Sequence, residues 1–129
     1  MTYNNNSQKI LFNNALKKHQ NGEYHEALNL YQKLLNVNPN FAEIHNNIGL
    51  IYNELNNTQL ALQSFLKAVN INEYFVEAHN NIGIIYEKLS KYNKAIFHYQ
   101  KAIKINPNFS KAYNNLGSSF DEIGEKNKA

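Results

Sequence analysis

Apolar residues recur along this chain with the period of an α-helix. One series has the spacing i, i+3, i+4, i+7 of a single helix face: His45, Ile48, Gly49 and Tyr52. A second series with helical spacing begins nine residues after the first one ends: Ala61, Phe65 and Ala68. The pattern predicts two amphipathic helices in succession, each with one face turned toward its partner.

The pattern repeats every 34 residues. The segment Glu43–Gly49 recurs as Glu77–Gly83 and again as Lys111–Gly117, each time at that offset. Two successive units, 42–75 and 76–109, share 15 identical positions. We therefore divide the chain into a short N-terminal extension, three complete units and the first half of a fourth: 1–7, 8–41, 42–75, 76–109 and 110–129.

Each unit predicts a helix pair, which gives seven helices in all: 8–21, 24–37, 42–55, 58–71, 76–89, 92–105 and 110–123. At position 15 of each unit stands a residue that we expect to form the turn between paired helices: Gly22, Asn56, Ser90 and Gly124. Pro39 and Pro107 close the second helix of their units, because proline cannot continue a helix. Glu73 replaces proline in the second unit, so we expect a different exit turn there.

The repeat resembles the tetratricopeptide repeat, a unit of 34 residues. The resemblance covers residues 8–129 and includes that family's small and aromatic positions, here Gly83, Tyr86, Ala95 and Tyr99. It implies an all-α fold, an open right-handed superhelical solenoid of antiparallel helix pairs. It also implies that the first helices line a concave groove in which a protein or peptide partner binds.

The amino-acid composition argues against several classes of function. There is no cysteine, so thiol catalysis, disulfides and thiolate metal sites are excluded. The net charge is +3, and all thirteen basic residues are lysines scattered among acidic ones. We therefore expect no nucleic-acid binding, which draws on clustered basic residues and on arginine. No signal peptide or run of 18 apolar residues is found, so we expect an intracellular protein, cytoplasmic or nuclear, without a membrane partner.

Catalytic and metal-binding patterns are missing from the sequence. No phosphate-binding loop or His-Glu-x-x-His motif occurs. His45 and His79 occupy equivalent positions one unit apart, too distant to share an ion, and we interpret both as structural. Glu43 and Glu77 share a helix face on an open surface rather than converging in a pocket. We expect no enzymatic activity, cofactor or metal site.

The face of the first helices opposite the Ile48 series contains the candidate binding residues. Positions 2, 6, 9 and 13 of a unit lie there by the 100° advance of a helix. We predict a peptide-binding site from eight of these residues: Asn47, Asn81, Asn115, Glu43, Glu77, Leu50, Ile84 and Lys111. The three asparagines repeat at position 6, and a side-chain amide can pair with a peptide's backbone groups.

The amino-acid sequence of the repeats, as in Asn46-Asn47-Ile48-Gly49, is most similar to that of the repeats in O-GlcNAc transferase and its plant relative SPINDLY. In O-GlcNAc transferase a ladder of asparagines holds the substrate backbone, and the resemblance implies the same for Asn47, Asn81 and Asn115. A plainer interpretation also stands, because 25 of the 129 residues are asparagine.

Two hypotheses for function remain open at this point. One is a protein-interaction scaffold, and the other is the substrate-recruiting part of a larger glycosyltransferase whose catalytic part lies beyond Ala129. The carboxylate clamp of chaperone-binding repeats is not expected, because only Asn47 matches its pattern. The unfinished fourth unit leaves Phe120 uncovered, which favours self-association through the C-terminal end.

Overall fold

A computed structural model describes the structure of residues 5–127 of the protein. These residues form seven α-helices, and each packs against the next along the chain. The helices are α1 (Asn5–Gln20), α2 (Tyr24–Val37), α3 (Ala42–Glu54), α4 (Thr58–Ile71), α5 (Val76–Lys88), α6 (Tyr92–Ile105) and α7 (Ser110–Asn127).

The helix bounds agree closely with the sequence prediction in the middle of the chain and differ at its ends. Helices α2, α4 and α6 begin and end at the predicted residues. Helix α1 begins at Asn5, inside the segment predicted to be an extension. Helix α7 continues through Gly124 to Asn127, so the turn predicted at Gly124 is wrong. In the other units a second helix folds back after this position and fixes the turn.

The turns within the three complete units form at the predicted position, with a left-handed backbone. Gly22, Asn56 and Ser90 have φ angles of +79°, +59° and +57°. The amide of the residue that follows each of them donates back into the first helix, as from Asn57 N to Tyr52 O at 2.8 Å. This reversal places the second helix of a unit antiparallel to the first.

The exit turns are alike in all three units, so the prediction of a different turn at Glu73 is wrong. Asn38, Asn72 and Asn106 end their helices with nearly the same extended backbone. Each side-chain oxygen accepts from the amide two residues later, at 3.0 to 3.2 Å. The asparagine forms this turn itself, and the proline that follows it in two units is not needed.

Close contact between paired helices depends on glycine. The Phe65 ring lies so near the backbone of Gly49 that a Cβ there would come within 2.5 Å of it. Tyr99 lies against Gly83 in the same way in the next unit. The small position of the first helix and the aromatic position of the second therefore interlock.

The hydrophobic core runs across unit boundaries. Ile44 and Ile51 of α3 are fully buried and belong to one cluster with Tyr31 and Leu34 of the preceding unit. Ile85 joins the next cluster in the same manner. Ile44 occupies position 3 of its unit, and Ile51 and Ile85 occupy position 10. Both positions lie outside the face on which the sequence prediction centred the core. A first helix is buried on two sides because it packs against its own partner and against the preceding unit.

No helix in the described part of the chain is long and apolar enough to cross a membrane.

Candidate functional site

A hollow of about 490 Å³ opens between the first helices α3 and α5. Its lining includes Glu43 and Asn47 from α3, Glu77 from α5, and Phe75 from the exit turn between units. Both glutamates are exposed, whereas only 9% of Asn47 is. The structure thus brings three of the predicted binding residues to one place.

Side-chain amides link successive first helices in a row. Asn81 Nδ2 donates to Asn46 Oδ1 at 3.0 Å, and Asn115 Nδ2 donates to Asn80 Oδ1 at 3.0 Å. Position 6 of one unit therefore donates to position 5 of the unit before. Asn46 and Asn80 are buried acceptors that the sequence analysis did not single out. The recurrence of Asn-Asn at the repeat interval was the available signal.

The asparagines at position 6 are more buried than their place opposite the packed face would indicate. Asn47 is buried, and Asn81 and Asn115 are half-buried. The helical period places these residues opposite one packed face, but the neighbouring first helix covers them from the side. The periodicity of one helix contains no information about that neighbour.

Asn47 Nδ2 is buried and has no hydrogen-bond partner in the described structure. Its acceptor would come from position 5 of the first unit, which is occupied by Phe12. The Tyr31 hydroxyl lies beside Asn47 but outside hydrogen-bond geometry, and it pairs instead with His19 Nδ1 at 3.2 Å. The amide row thus ends at Asn47 with an unused donor next to the hollow.

The remaining predicted binding residues lie apart from this hollow. Leu50 is half-buried and packs against the core cluster that contains Phe65, while Ile84 is half-buried on α5. Lys111 is exposed in the first turn of α7. Leu50 therefore contributes to packing, and Lys111 is a solvated charge on the last first helix.

The two equivalent histidines bind the exit turns that precede them. His45 Nε2 pairs with the Pro39 carbonyl at 3.0 Å, and His79 Nε2 pairs with the Glu73 carbonyl at 2.9 Å. His79 Nδ1 in turn lies 3.5 Å from Nδ1 of His98, a residue of the second helix α6. Burial lowers the pKa of His98 to about 4, helped by the nearby charges of His79 and Lys101.

Within residues 5–127, no three histidine, aspartate or glutamate side chains come together in a way that could hold a metal ion. Glu43 and Glu77 border an open hollow whose other polar lining residues are asparagines: Asn46, Asn47 and Asn72. The arrangement offers hydrogen-bond donors, acceptors and charge along a groove, which is suited to recognition of another molecule.

Comparison with known families identifies the repeat. Family profiles described as "TPR repeat" match residues 15–56 and 49–90, and profiles described as "Tetratricopeptide repeat" match 76–109 and 98–129. The chain belongs to the tetratricopeptide-repeat family. Comparison with curated protein sequences gave no match. The narrower resemblance to O-GlcNAc transferase finds no support in these matches and stays a prediction.

Solved tetratricopeptide domains share the fold. The first such domain of human RPAP3 superimposes with a TM-score of 0.85 at 23% identity, covering 95% of this chain and 96% of that one. The Sgt2 domain of Aspergillus fumigatus gives 0.88 at 19% identity, covering 95% and 83%. The first domain of Spaghetti (RPAP3), solved with the HSP90 peptide SRMEEVD, gives 0.87 at 22% identity, covering 96% and 98%. These structures confirm the all-α solenoid.

Proposed function

We propose that this chain is a protein-interaction scaffold that holds an extended peptide along the groove of its first helices. The observation that carries the proposal is the unpaired amide of Asn47 beside the hollow between α3 and α5. A buried donor without an acceptor costs free energy, about 1–3 kcal/mol. A peptide carbonyl that reaches this donor would recover that free energy on binding.

The rest of the amide row can continue the contact. Asn81 and Asn115 each donate one side-chain N–H to an asparagine of the preceding unit. A side-chain amide also has a second N–H and a carbonyl oxygen, which can pair with a peptide. Asn47 and Asn115 are two repeat steps apart, roughly 20 Å at about 10 Å per step. An extended peptide of about six residues, at about 3.3 Å each, spans that distance. Contacts of this kind address the peptide backbone and tolerate different sequences.

The charges of the groove favour a particular kind of peptide. Glu43 and Glu77 border the hollow around Asn47, so a lysine or arginine of the peptide would be attracted there. An acidic tail such as SRMEEVD, the peptide in the Spaghetti structure, would place carboxylates against carboxylates. We therefore propose a ligand different in charge from that neighbour's.

A second function rests on the same asparagines. By its resemblance to O-GlcNAc transferase, the chain would recruit substrates for a glycosyltransferase. Both hypotheses use the groove, and they differ in whether a catalytic part accompanies it. The coding sequence beyond the codon for Ala129 distinguishes them, because a glycosyltransferase domain there would support the second.

The test uses peptides selected from a phage-displayed library of dodecamers, synthesised with fluorescein and measured by fluorescence anisotropy. Asn47→Ala should keep the helix content, because alanine favours a helix more than asparagine does. It should weaken binding about fivefold, the equivalent of about 1 kcal/mol. Replacing Asn47, Asn81 and Asn115 together should cost about 2–4 kcal/mol of binding free energy. This loss should be similar for selected peptides of different sequence.

The matched control replaces two exposed asparagines of second helices, Asn29→Ala and Asn93→Ala, and should bind as the parent does. Unchanged affinity in Asn47→Ala and in the triple variant, with helix content retained, would reject the proposed groove. Loss of helix content in Asn47→Ala would show that this asparagine is structural.

A further inference from the structure

A second concave surface lies between the second helices α4 and α6, with lining residues that differ from those of the first hollow. Two adjoining hollows of about 630 Å³ and 450 Å³ share Glu73 and Lys101 in their linings. Phe97 borders the larger one and Tyr74 the smaller one, and these side chains are 58% and 69% exposed. We call this surface the outer groove.

The outer groove is where the chain departs from its own repeat. Phe97 stands where the other two complete units have Asn29 and Gln63. Tyr74 stands where they have Asn40 and Asn108. Each departure replaces a polar residue by an aromatic one without burying it. Two exposed aromatic side chains at one surface are a mark of an interaction site.

The floor of the outer groove is held in place by a chain of contacts. The Glu73 carbonyl pairs with His79, and His79 faces His98 across 3.5 Å. The His98 ring also stacks on Tyr86 at 5.7 Å and meets the Phe97 ring edge-on at 5.2 Å. The Phe97 ring is therefore held on one side and open on the other. Because it is already held, Phe97 would lose little side-chain freedom when a ligand binds it.

The charge around this surface is positive. Three lysines line it, Lys67, Lys101 and Lys104, against one carboxylate, that of Glu73. The Lys101 ammonium lies 5.9 Å from the centre of the Phe97 ring. Positive charge beside an apolar recess complements a segment that carries carboxylates around an apolar side chain.

We propose that the outer groove binds an acidic peptide segment of a partner protein, which inserts an apolar side chain beside Phe97 and places its carboxylates near the three lysines. This surface is separate from the groove of the first helices and goes beyond the function proposed there. The chain contains no arginine, so a peptide is favoured over a nucleic acid, which draws on arginine for phosphate contacts.

The test measures anisotropy of four fluorescein-labelled probes with the full chain at 150 mM salt. The first probe is a twelve-residue peptide of glutamate and aspartate with a central Leu-Phe pair. The second has lysines in place of its acidic residues, the third has serines in place of Leu-Phe, and the fourth is a twelve-nucleotide oligothymidylate. The first probe should bind at least tenfold more tightly than each of the others.

Variants then assign binding to the surface. Tyr74→Asn with Phe97→Gln restores residues that the other units carry at these positions, so the fold should persist, and the first probe should bind at least tenfold more weakly. Lys101→Gln should weaken it several-fold. Lys33→Gln changes the equivalent lysine of the first unit and should have no effect, and neither should Asn47→Ala.

Equal binding of the acidic and lysine peptides, or tighter binding of the oligothymidylate, would overturn the proposal. So would unchanged affinity of the Tyr74→Asn, Phe97→Gln variant for the acidic probe, with helix content retained. Because Asn47→Ala tests only the first groove, failure at one surface is distinguished from failure at the other.

Discussion

The ring of Phe65 occupies the space in which a side chain at Gly49 would stand, with three ring carbons within 2.9 Å of the missing Cβ. Gly49→Ala should therefore force the ring or the helix to move, at a cost of about 1–3 kcal/mol. We expect the melting temperature of the variant, followed by circular dichroism at 222 nm, to fall by several degrees.

The fourth unit offers the matched control for this prediction. Gly117 occupies the same repeat position, but nothing lies within 4 Å of a Cβ placed there. Gly117→Ala should raise stability by up to about 1 kcal/mol, since alanine favours a helix over glycine. A similar response of Gly49→Ala and Gly117→Ala would contradict the interlocking of glycine with the aromatic ring.

Tyr99 carries a buried hydroxyl that has no partner in the described structure. Burial raises the pKa of this hydroxyl well above its usual value, and the nearby Glu87 charge raises it further. The second unit has Phe65 at the same position. We therefore expect Tyr99→Phe to raise the free energy of unfolding by about 1 kcal/mol, measured by urea denaturation.

Tyr31 is the comparison for this change, because its hydroxyl pairs with His19 Nδ1 at 3.2 Å. Tyr31→Phe should lower the free energy of unfolding by about 0.5–1.5 kcal/mol. Opposite signs at equivalent positions of two units are the expected result. Destabilisation of both variants by the same amount would mean that the Tyr99 hydroxyl is paired after all.

The stability of the chain should depend on pH through His98, whose pKa burial lowers to about 4 from an ordinary 6.5. The unfolded chain then binds a proton more readily than the folded chain does. Stability should therefore fall as the pH drops below 6.5 and stop falling on this account below about 4. The loss amounts to roughly 3 kcal/mol at most.

Leucine at His98, the residue of the first unit at this position (Leu30), removes that proton-binding group. His98→Leu should lose less stability than the parent between pH 6.5 and 4, as measured by urea denaturation at each pH. His25→Gln, a change at an exposed histidine of α2, is the control. Parallel pH profiles for His98→Leu and the parent would contradict the prediction.

Helix α7 should be the least protected helix of the repeat array. It packs chiefly against α6, with a smaller contact to α5, and Phe120 is 50% exposed on it. Amide hydrogens of α7 should exchange faster than those of α3 to α6 in a hydrogen-exchange experiment read by mass spectrometry. Equal protection throughout would indicate that a second molecule covers this helix at the concentration used.

Self-association through the same face is a separate prediction. Phe120→Asn should shift sedimentation toward the monomer at high protein concentration, because it removes the exposed aromatic surface that a second copy would cover. Tyr74→Asn removes an exposed aromatic side chain from another part of the surface and should leave sedimentation unchanged. An identical response of both variants would show that Phe120 has no special role.

The sequence predicts the helices well because each is fixed by local signals. Gly22 and Asn56 form the turns expected of them, and Asn38 and Asn106 end their helices next to the expected prolines. The site is predicted less well because it depends on contacts between units. Nothing local to Asn47 shows that Phe12, 35 positions earlier, leaves it without an acceptor.

The outer groove was beyond prediction for a related reason. His98 of α6 meets His79 of the neighbouring helix α5 at 3.5 Å, and nothing in the sequence of α6 indicates that contact. The exposure of Phe97 and Tyr74 could have been suspected by comparing the units with one another rather than with a shared pattern. Departures from the repeat contain information that the repeat itself does not.

The row of asparagines also has a direction. Each amide in it donates toward the N-terminal end, from Asn115 to Asn80 and from Asn81 to Asn46. Its first member, Asn47, therefore ends in an unused donor, while the last unit presents the exposed Asn114 at the acceptor position. A peptide backbone is itself polar from one end to the other. In the groove proposed above, its two orientations would then be unequal, and a sequence would be distinguished from its reverse by its backbone alone.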